Sequence, residues 1–469
     1  MPSMENKFPL YKYWDDYPNR DVEYIRWYPP TLGPLAPESM WEALPVEPDR
    51  DIAFYVHVPF CQDICPYCPF NKYSMRDDRA SSFMEAIDKE IRLITDQPFI
   101  GKAKTQTGYF GGGTPTALAT ADLIHLIEMS YERFDVVPGA EMTVEANPDT
   151  VDLDKLKALV GAGINRISFG VQSFNDRYMP IIGRTHTSRQ AMQAIELARK
   201  AGIDNIAIDL MYRLPGQTIS EWEDDLNTAL EIGIDHISTY CLFLDPGTRL
   251  YNDTLAGNVA PYPEEETEIA MYQLTQDRLG ESGFIHYTIN DFAVAGKISL
   301  HHAYNWQAPQ GTYVGLGPGA FSFVSGGDAS FIYCTTHALR EYSELLSANR
   351  MPVKIGKRLS RGEELSRYMV LGLKFLEVSK DAFRLKFGLE MDDVFGDRIA
   401  LLQEWGLVES DARRVWMTSR GKHYATNVLK AFYTSENWRK PQPIGVELLA
   451  GKGASMASIT PLEARGPNQ

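Results

Sequence analysis

The 469-residue chain is poor in cysteine, has no long apolar run and carries no excess of base. Its five cysteines are odd in number, and Cys61, Cys65 and Cys68 crowd into one short stretch. That is no disulfide framework, and a reducing cytoplasm is the compartment such usage predicts. No segment approaches the ~18 consecutive apolar residues of a membrane span. Met1–Lys12 lacks the basic segment followed by an apolar one that marks a secretory signal. Lys+Arg 46 against Asp+Glu 62 leaves a net charge of −16, which argues against a nucleic-acid or anionic-membrane binder. Hydrophobic residues at 44% and charged residues at 23% fit a globular chain, and one this long builds a core without disulfide or metal.

Aromatics are plentiful at the start. Residues 1–50 hold Tyr11, Tyr13, Trp14, Tyr17, Tyr24, Trp27 and Tyr28, then Pro29, Pro30, Pro34 and Pro37. Periodicity is poor there, so the reading is an irregular arm that packs its aromatics on a domain or covers a substrate opening. From 51 to about 245, short β-branched or aromatic runs alternate with helical stretches. The runs are Ala53–Val58, Gln106–Phe110, Glu141–Glu145, Arg166–Gly170, Asn205–Asp209 and His236–Cys241. The helical stretches include Ser81–Thr95, Leu153–Ala162, Ser188–Ala201 and Ser220–Ile232, and Gly163 and Gly202 fall where helices end. Six βα units predict an α/β fold, a partial (β/α)6 parallel barrel whose chemistry sits at the carboxyl ends of the strands. Residues 246–345 read as mixed α/β and extend this barrel domain (51–345). Residues 346–432 read as a smaller, mainly helical, winged-helix-like domain, with helices at Arg361–Phe375, Lys380–Phe387 and Asp397–Gly406 and a hairpin at Leu407–Thr418. Residues 433–469 read as a flexible tail.

The sharpest motif is Cys61-Gln-Asp-Ile-Cys65-Pro-Tyr-Cys68, directly after the first strand. Three thiolates on one loop hold three corners of a cubane. Iron–sulfur clusters normally take four cysteines, so one iron stays open for another ligand. The competing reading is tetrahedral zinc, with His57 as fourth ligand. Gly111-Gly112-Gly113-Thr114-Pro115 follows the second strand, and glycines there let the backbone come close to a ligand. Glu145, Gln172, Arg184 and Asp209 stand at or just after later strands, where such residues commonly cap the next helix.

The cysteine spacing resembles the signature of the radical S-adenosylmethionine superfamily. The ordered set resembles its oxygen-independent coproporphyrinogen-oxidase-like branch: Tyr55-Val-His57-Val-Pro-Phe, the Gly111–Pro115 run, Thr143-Val-Glu145-Ala-Asn-Pro148, Gly170-Val-Gln172-Ser173-Phe174, Gly183-Arg184 and Asp209–Gln217. The resemblance implies a [4Fe-4S] cluster on Cys61, Cys65 and Cys68 and an S-adenosylmethionine chelated by its open iron. It gives Tyr67 the role of packing on adenine and the Gly112-Gly113-Thr114 turn that of meeting the amino group. Tyr55, Gly112 and Glu145 would serve the cluster-bound molecule, and Gln172, Arg184 and Asp209 a second one. An electron donor such as flavodoxin or ferredoxin, a monomeric state and a HemN-like C-terminal helical domain follow from the same resemblance.

Within the branch, Phe70 stands where the decarboxylase has a further cysteine. His301-His302-Ala-Tyr-Asn-Trp306 keeps only part of the haem chaperone's H-N-x-x-Y-W, and 50 residues precede the first strand. The expectation is therefore a class C methyltransferase or cyclopropanase, moving a carbon from S-adenosylmethionine to an sp2 carbon of a small conjugated or tetrapyrrole substrate. A haem chaperone, an anaerobilin synthase and a coproporphyrinogen dehydrogenase are the alternatives. His301 and His302 are expected on a loop, as haem ligands or simply solvated. Arg213, in place of the glycine usual in its motif, is expected to meet a substrate carboxylate or to form a surface ion pair. Cys241 and Cys334 are expected to be inert.

Overall fold

The computed structural model of the chain describes residues 25–37, 40, 51–98, 100, 103–245, 248–326 and 330–437. Six strands, β1 (Asp51–Val58), β2 (Lys104–Gly112), β3 (Asp135–Ala146), β4 (Arg166–Gln172), β5 (Asn205–Tyr212) and β6 (His236–Cys241), lie side by side in chain order. Every neighbouring pair is parallel. They are buried on both faces, as continuous apolar runs require; every residue of β4 is buried. Helices α1 (Asp77–Thr95), α2 (Thr120–Arg133), α3 (Leu153–Gly161), α4 (Ser188–Ala201) and α5 (Ile219–Glu231) connect them. Capping boxes at Thr187/Gln190 and Thr218/Glu221 start α4 and α5. Gly163 and Gly202, which end α3 and α4, take left-handed backbone with φ of +102° and +99°. Of these helices only α2 was not read from sequence.

The parallel run is longer than the six strands expected. After α6 (Arg249–Leu255) and α7 (Glu265–Glu281), a hairpin of β7 (Ile285–His286) and β8 (Asp291–Ala293) adds antiparallel to β6. Beyond α8 (Leu300–Trp306), β9 (Thr312–Leu316) returns to pair parallel with the outer edge of β1. Strands β10 (Phe321–Val324), β11 (Phe331–Thr335) and β12 (Val353–Arg358) then continue antiparallel, and Gly33–Pro34 of the arm pairs with β12. The result is a 13-stranded sheet among the described residues. These added strands are mostly two to five residues long and lack a clear period, which hid them in the sequence.

The C-terminal unit has helices α10 (Arg361–Gly372), α11 (Lys380–Phe387) and α12 (Met391–Glu404), preceded in the chain by α9 (Leu339–Ser347). Strands β13 (Glu377–Ser379), β14 (Val408–Ser410) and β15 (Arg414–Met417) form a three-stranded antiparallel sheet beside them. Its core, around Tyr368, Phe383, Phe387, Phe395 and Phe432, takes in Ile25 and Tyr28 of the arm. Trp27 stacks on Phe321 at 3.9 Å between ring centroids. Tyr11, Tyr13, Trp14, Tyr17 and Tyr24 lie outside the described residues. The flexible tail expected from 433 is corrected at its start. Tyr433 and Asn437 are buried, and Asn437 Nδ2 donates to Tyr28 Oη and Glu363 Oε1 at 3.3 and 3.2 Å. The rest of that tail lies outside the described residues.

Candidate functional site

The cysteine loop leaves the carboxyl end of β1. Phe60–Cys61 pairs with Tyr73–Ser74, and a turn closes between Cys65 O and the N–H of Cys68 at 3.2 Å. All three thiols are free and face a single cavity of about 830 Å³. Burial pushes the Cys61 thiol up to about 11 and raises that of Cys68. Thiolates there need a cation to form, which metal coordination supplies. Thr114 Oγ1 donates to Cys61 Sγ at 3.8 Å. Cys241, at the end of β6, also faces the cavity, beside Arg213 and Tyr262, whereas Cys334 is buried in β11. Three convergent thiols on one loop fit a cubane with one open corner. The zinc alternative loses its fourth ligand. His57 Nδ1 accepts from Tyr55 Oη at 3.0 Å and Nε2 donates to Asn71 O at 2.8 Å, so neither nitrogen is spare.

The glycine run also braces the cysteine loop. Gly113 N donates to Val58 O at 2.8 Å and Thr114 N to Phe60 O at 2.7 Å. A Cβ on Gly113 would lie 2.6 Å from Phe60 O, and one on Gly112, whose φ is +112°, 2.5 Å from the His57 ring. The closest neighbour of these glycines is thus the protein's own β1 and cysteine loop, which they latch in place. Gly112, Gly113 and Thr114 nevertheless line the cavity.

Tyr55, Tyr67, Glu145, Gln172, Arg184 and Asp209 face the same cavity, so it gathers all twelve site residues read from sequence. Glu145 accepts from Tyr109 Oη at 2.8 Å and Gly112 N at 2.9 Å. Burial holds its carboxyl above the usual range. Asp209 is pushed up to about 8 by burial, with Glu145 and Asp291 adding repulsion. Arg184 donates to Asn147 Oδ1 at 2.7 Å and to Tyr67 Oη at 3.4 Å, while its buried Nε has no partner. That nitrogen is left for water or a ligand oxygen to meet. Gln172 adopts a φ of +70°, the strained backbone that collects at binding sites.

Sequence reasoning missed Tyr109 and Asn147, which hold Glu145 and Arg184. Asn147 sat inside a motif already singled out, and Tyr109 is two residues from Thr107, on the same side of β2. Arg213 is neither free for a substrate nor at the surface. It pairs with buried Glu268, donates to Pro263 O at 2.9 Å and lies over Tyr262. Its φ of +62° explains why a glycine suits that position. His301 and His302 are not on a loop but on α8. His301 is buried, with Nδ1 3.0 Å from Thr107 Oγ1, and His302 stacks on Trp306.

This fold and cavity define a protein of the radical S-adenosylmethionine class. The Radical SAM superfamily profile matches residues 55–229, and that of the HemN C-terminal domain matches 359–423. The chain is 35% identical over 380 residues to the heme chaperone HemW of Bacillus subtilis, covering 81% of this chain and 98% of that protein. It is 30% identical to HemW of Escherichia coli, over 61% of this chain and 73% of that one. Its structure matches coproporphyrinogen III oxidase (HemN) from Escherichia coli with a TM-score of 0.77 at 23% identity, covering 88% of this chain and 98% of that one. The chain belongs to the radical SAM superfamily, in the HemN-domain branch that includes the HemW proteins. Such a fold implies a [4Fe-4S] cluster and S-adenosylmethionine.

The expected carbon transfer to an sp2 carbon is corrected by these relatives. Those matched along nearly their whole length are named heme chaperones, not transferases. The departures at His302 and Asn305 and the extra leading residues carried too much weight, whereas Phe70 spoke only against the decarboxylase. Agreement over 380 residues outweighs them.

Proposed function

We propose that this protein binds haem or a closely related tetrapyrrole in the cavity, beside a [4Fe-4S] cluster held by Cys61, Cys65 and Cys68. The carrying observation is the match to a heme chaperone over 98% of that protein's length. The cavity supports it, because Trp27, Tyr240, Tyr262, Trp306 and Phe321 offer aromatic faces to a flat conjugated ring. Arg367, Lys374 and Lys422 on the C-terminal side suit its carboxylates.

S-adenosylmethionine, when bound to the reduced cluster, supplies a 5′-deoxyadenosyl radical. In this reading Tyr55, Gly112, Gly113, Thr114 and Glu145 enclose that molecule, and Tyr67 packs on its adenine. Gln172, Arg184 and Asp209 border a second ligand position. No helix among the described residues is long and apolar enough to cross a membrane. A cytoplasmic monomer reduced by a flavodoxin or ferredoxin completes the proposal.

The test is a titration of ferric haem into anaerobically reconstituted protein. Saturable binding with a shifted Soret band, weakened in His301→Ala, is the expected result. Unsaturable association that leaves the Soret band of free haem unchanged would overturn the reading. Incubation with dithionite measures chemistry separately: 5′-deoxyadenosine reports radical formation.

A further inference from the structure

A second set of donors borders the same cavity. His236 at the start of β6, Asp291 in β8 and His302 in α8 each place a ligand-type atom within 4.8 Å of the others. His236 is fully buried and Asp291 is 3% exposed. Three of their buried atoms have no hydrogen-bond partner: His236 Nδ1, Asp291 Oδ1 and His302 Nδ1. The nearest approach, His302 Nδ1 to Asp291 Oδ2, is 3.4 Å, a weak contact, and Ser238 also donates to the Asp291 carboxylate. Leaving several buried polar atoms unsatisfied in one place is costly, and a shared ligand removes the cost.

The surroundings hold these side chains in position. His236 Nε2 lies 2.6 Å from Tyr287 Oη. In the tautomer with its proton on Nε2, His236 donates to that oxygen and Nδ1 presents a bare lone pair, the arrangement of a metal-ligating imidazole with its outer partner. Asp291 Oδ2 accepts from Thr288 Oγ1 at 2.6 Å. The His302 ring stacks on Trp306 at 4.7 Å, and Lys374 Nζ lies 3.6 Å from the centre of that indole ring. Ser299 caps α8, and Glu141 of β3 accepts from Leu300 N and His301 N, both at 3.1 Å. Four carboxylates, Glu141, Glu145, Asp209 and Asp291, share this region with the cations Arg166, Arg184 and Lys374.

We infer that His236, Asp291 and His302 form a site for a divalent first-row transition ion of the zinc type, distinct from the cysteine loop and open to the cavity on one side. Two imidazoles and a carboxylate select such an ion over magnesium or calcium, which prefer oxygen. Tetrahedral zinc ligands at ~2.0–2.2 Å lie about 3.3–3.6 Å apart, so modest side-chain shifts close the group round the ion. Asp291 and His302 face the cavity. The fourth position takes water or an oxygen of whatever the cavity binds, as an open site with three protein ligands does. The ion ties β6, β8 and α8 together.

The test uses the full chain with its cluster reconstituted, dialysed anaerobically against zinc chloride and then against weak chelator, with no haem present. Zinc and iron are measured separately by elemental analysis, and unfolding temperature is recorded with and without zinc. Wild type should retain one zinc per chain with iron unchanged, and zinc should raise its unfolding temperature. Asp291→Asn and His302→Gln should fold, keep their iron, weaken zinc binding by about a hundredfold and lose the thermal shift. Should Asp291→Asn fail to fold, the partly exposed His302→Gln carries the comparison. The inference is overturned if wild type retains no zinc, if both variants retain it as wild type does, or if zinc enters only as iron leaves. A haem titration of Asp291→Asn keeps the two readings apart. Haem binding retained with zinc lost supports the site by itself.

Discussion

The cysteine loop and the His236–Asp291–His302 group face one cavity, yet they are built in opposite ways. The loop takes its three donors from eight consecutive residues at the end of one strand. The histidine–aspartate group collects its donors from β6, β8 and α8, and the fold alone brings them together. A site of local spacing can be lost without the fold noticing. An assembled site depends on distant contacts and reports on them. The latch at Gly113 complicates that contrast, because it shows the cysteine loop leaning on a neighbouring strand too.

The largest effect tests separability. Cys65→Ala should abolish the brown ~400 nm absorbance and the bound iron of the reconstituted protein while its circular dichroism stays that of wild type. Retention of full iron would show that these thiols are not the cluster ligands. Next comes Glu90, which accepts from Gly317 N at 2.7 Å and Tyr342 Oη at 2.5 Å, just past β9. Burial holds its carboxyl at about 8, above the ordinary value, so the folded protein keeps this proton longer than the unfolded chain does. Its stability is full below the unfolded value of ~4.3 and drains as pH rises toward 8, by up to ~1.4 kcal/mol per pH unit. Unfolding temperature should fall between pH 5 and 8, and Glu90→Gln should flatten the fall; an unchanged slope would remove Glu90 from that role.

Gly113→Ala presses a methyl group against the Phe60 backbone and should cost about 1–3 kcal/mol in denaturant melts. It should also slow iron uptake, since Cys61 follows Phe60; normal uptake in a destabilised variant would show that the latch serves the fold alone. The smallest effect belongs to the assembled group. Glu141→Gln removes the charge that receives the first N–H groups of α8 and should cost about 1 kcal/mol. Zinc retention should weaken more than thermal stability does, because α8 carries His302.

The six inner strands and the cysteine loop were legible because their signals are local: apolar runs, helical spacing and three thiols within one turn of chain. The C-terminal helices and hairpin were legible for the same reason. β7 and β9 were not, since a two-residue bridge and a five-residue strand owe their places to partners far along the chain. α8 was taken for a loop because much of its N-terminal support comes from Glu141 on β3, some 160 positions earlier. Arg213 looked available because its partner Glu268 sits on α7. The glycine run was recognised by pattern, but its contact with Phe60 becomes visible only once two strands are side by side.

The place of β9 has a consequence for biosynthesis. β1 is an interior strand, flanked by β2 on one side and by β9 on the other. A ribosome delivers β1 at residues 51–58 but cannot supply its second neighbour until residue 316 has emerged. Through that interval the nascent sheet presents the open hydrogen-bonding edge of Ile52–Val56, a ready template for a wrong strand. Translation speed over the intervening stretch, and any holdase that shields this edge, therefore bear on the yield of correctly assembled protein.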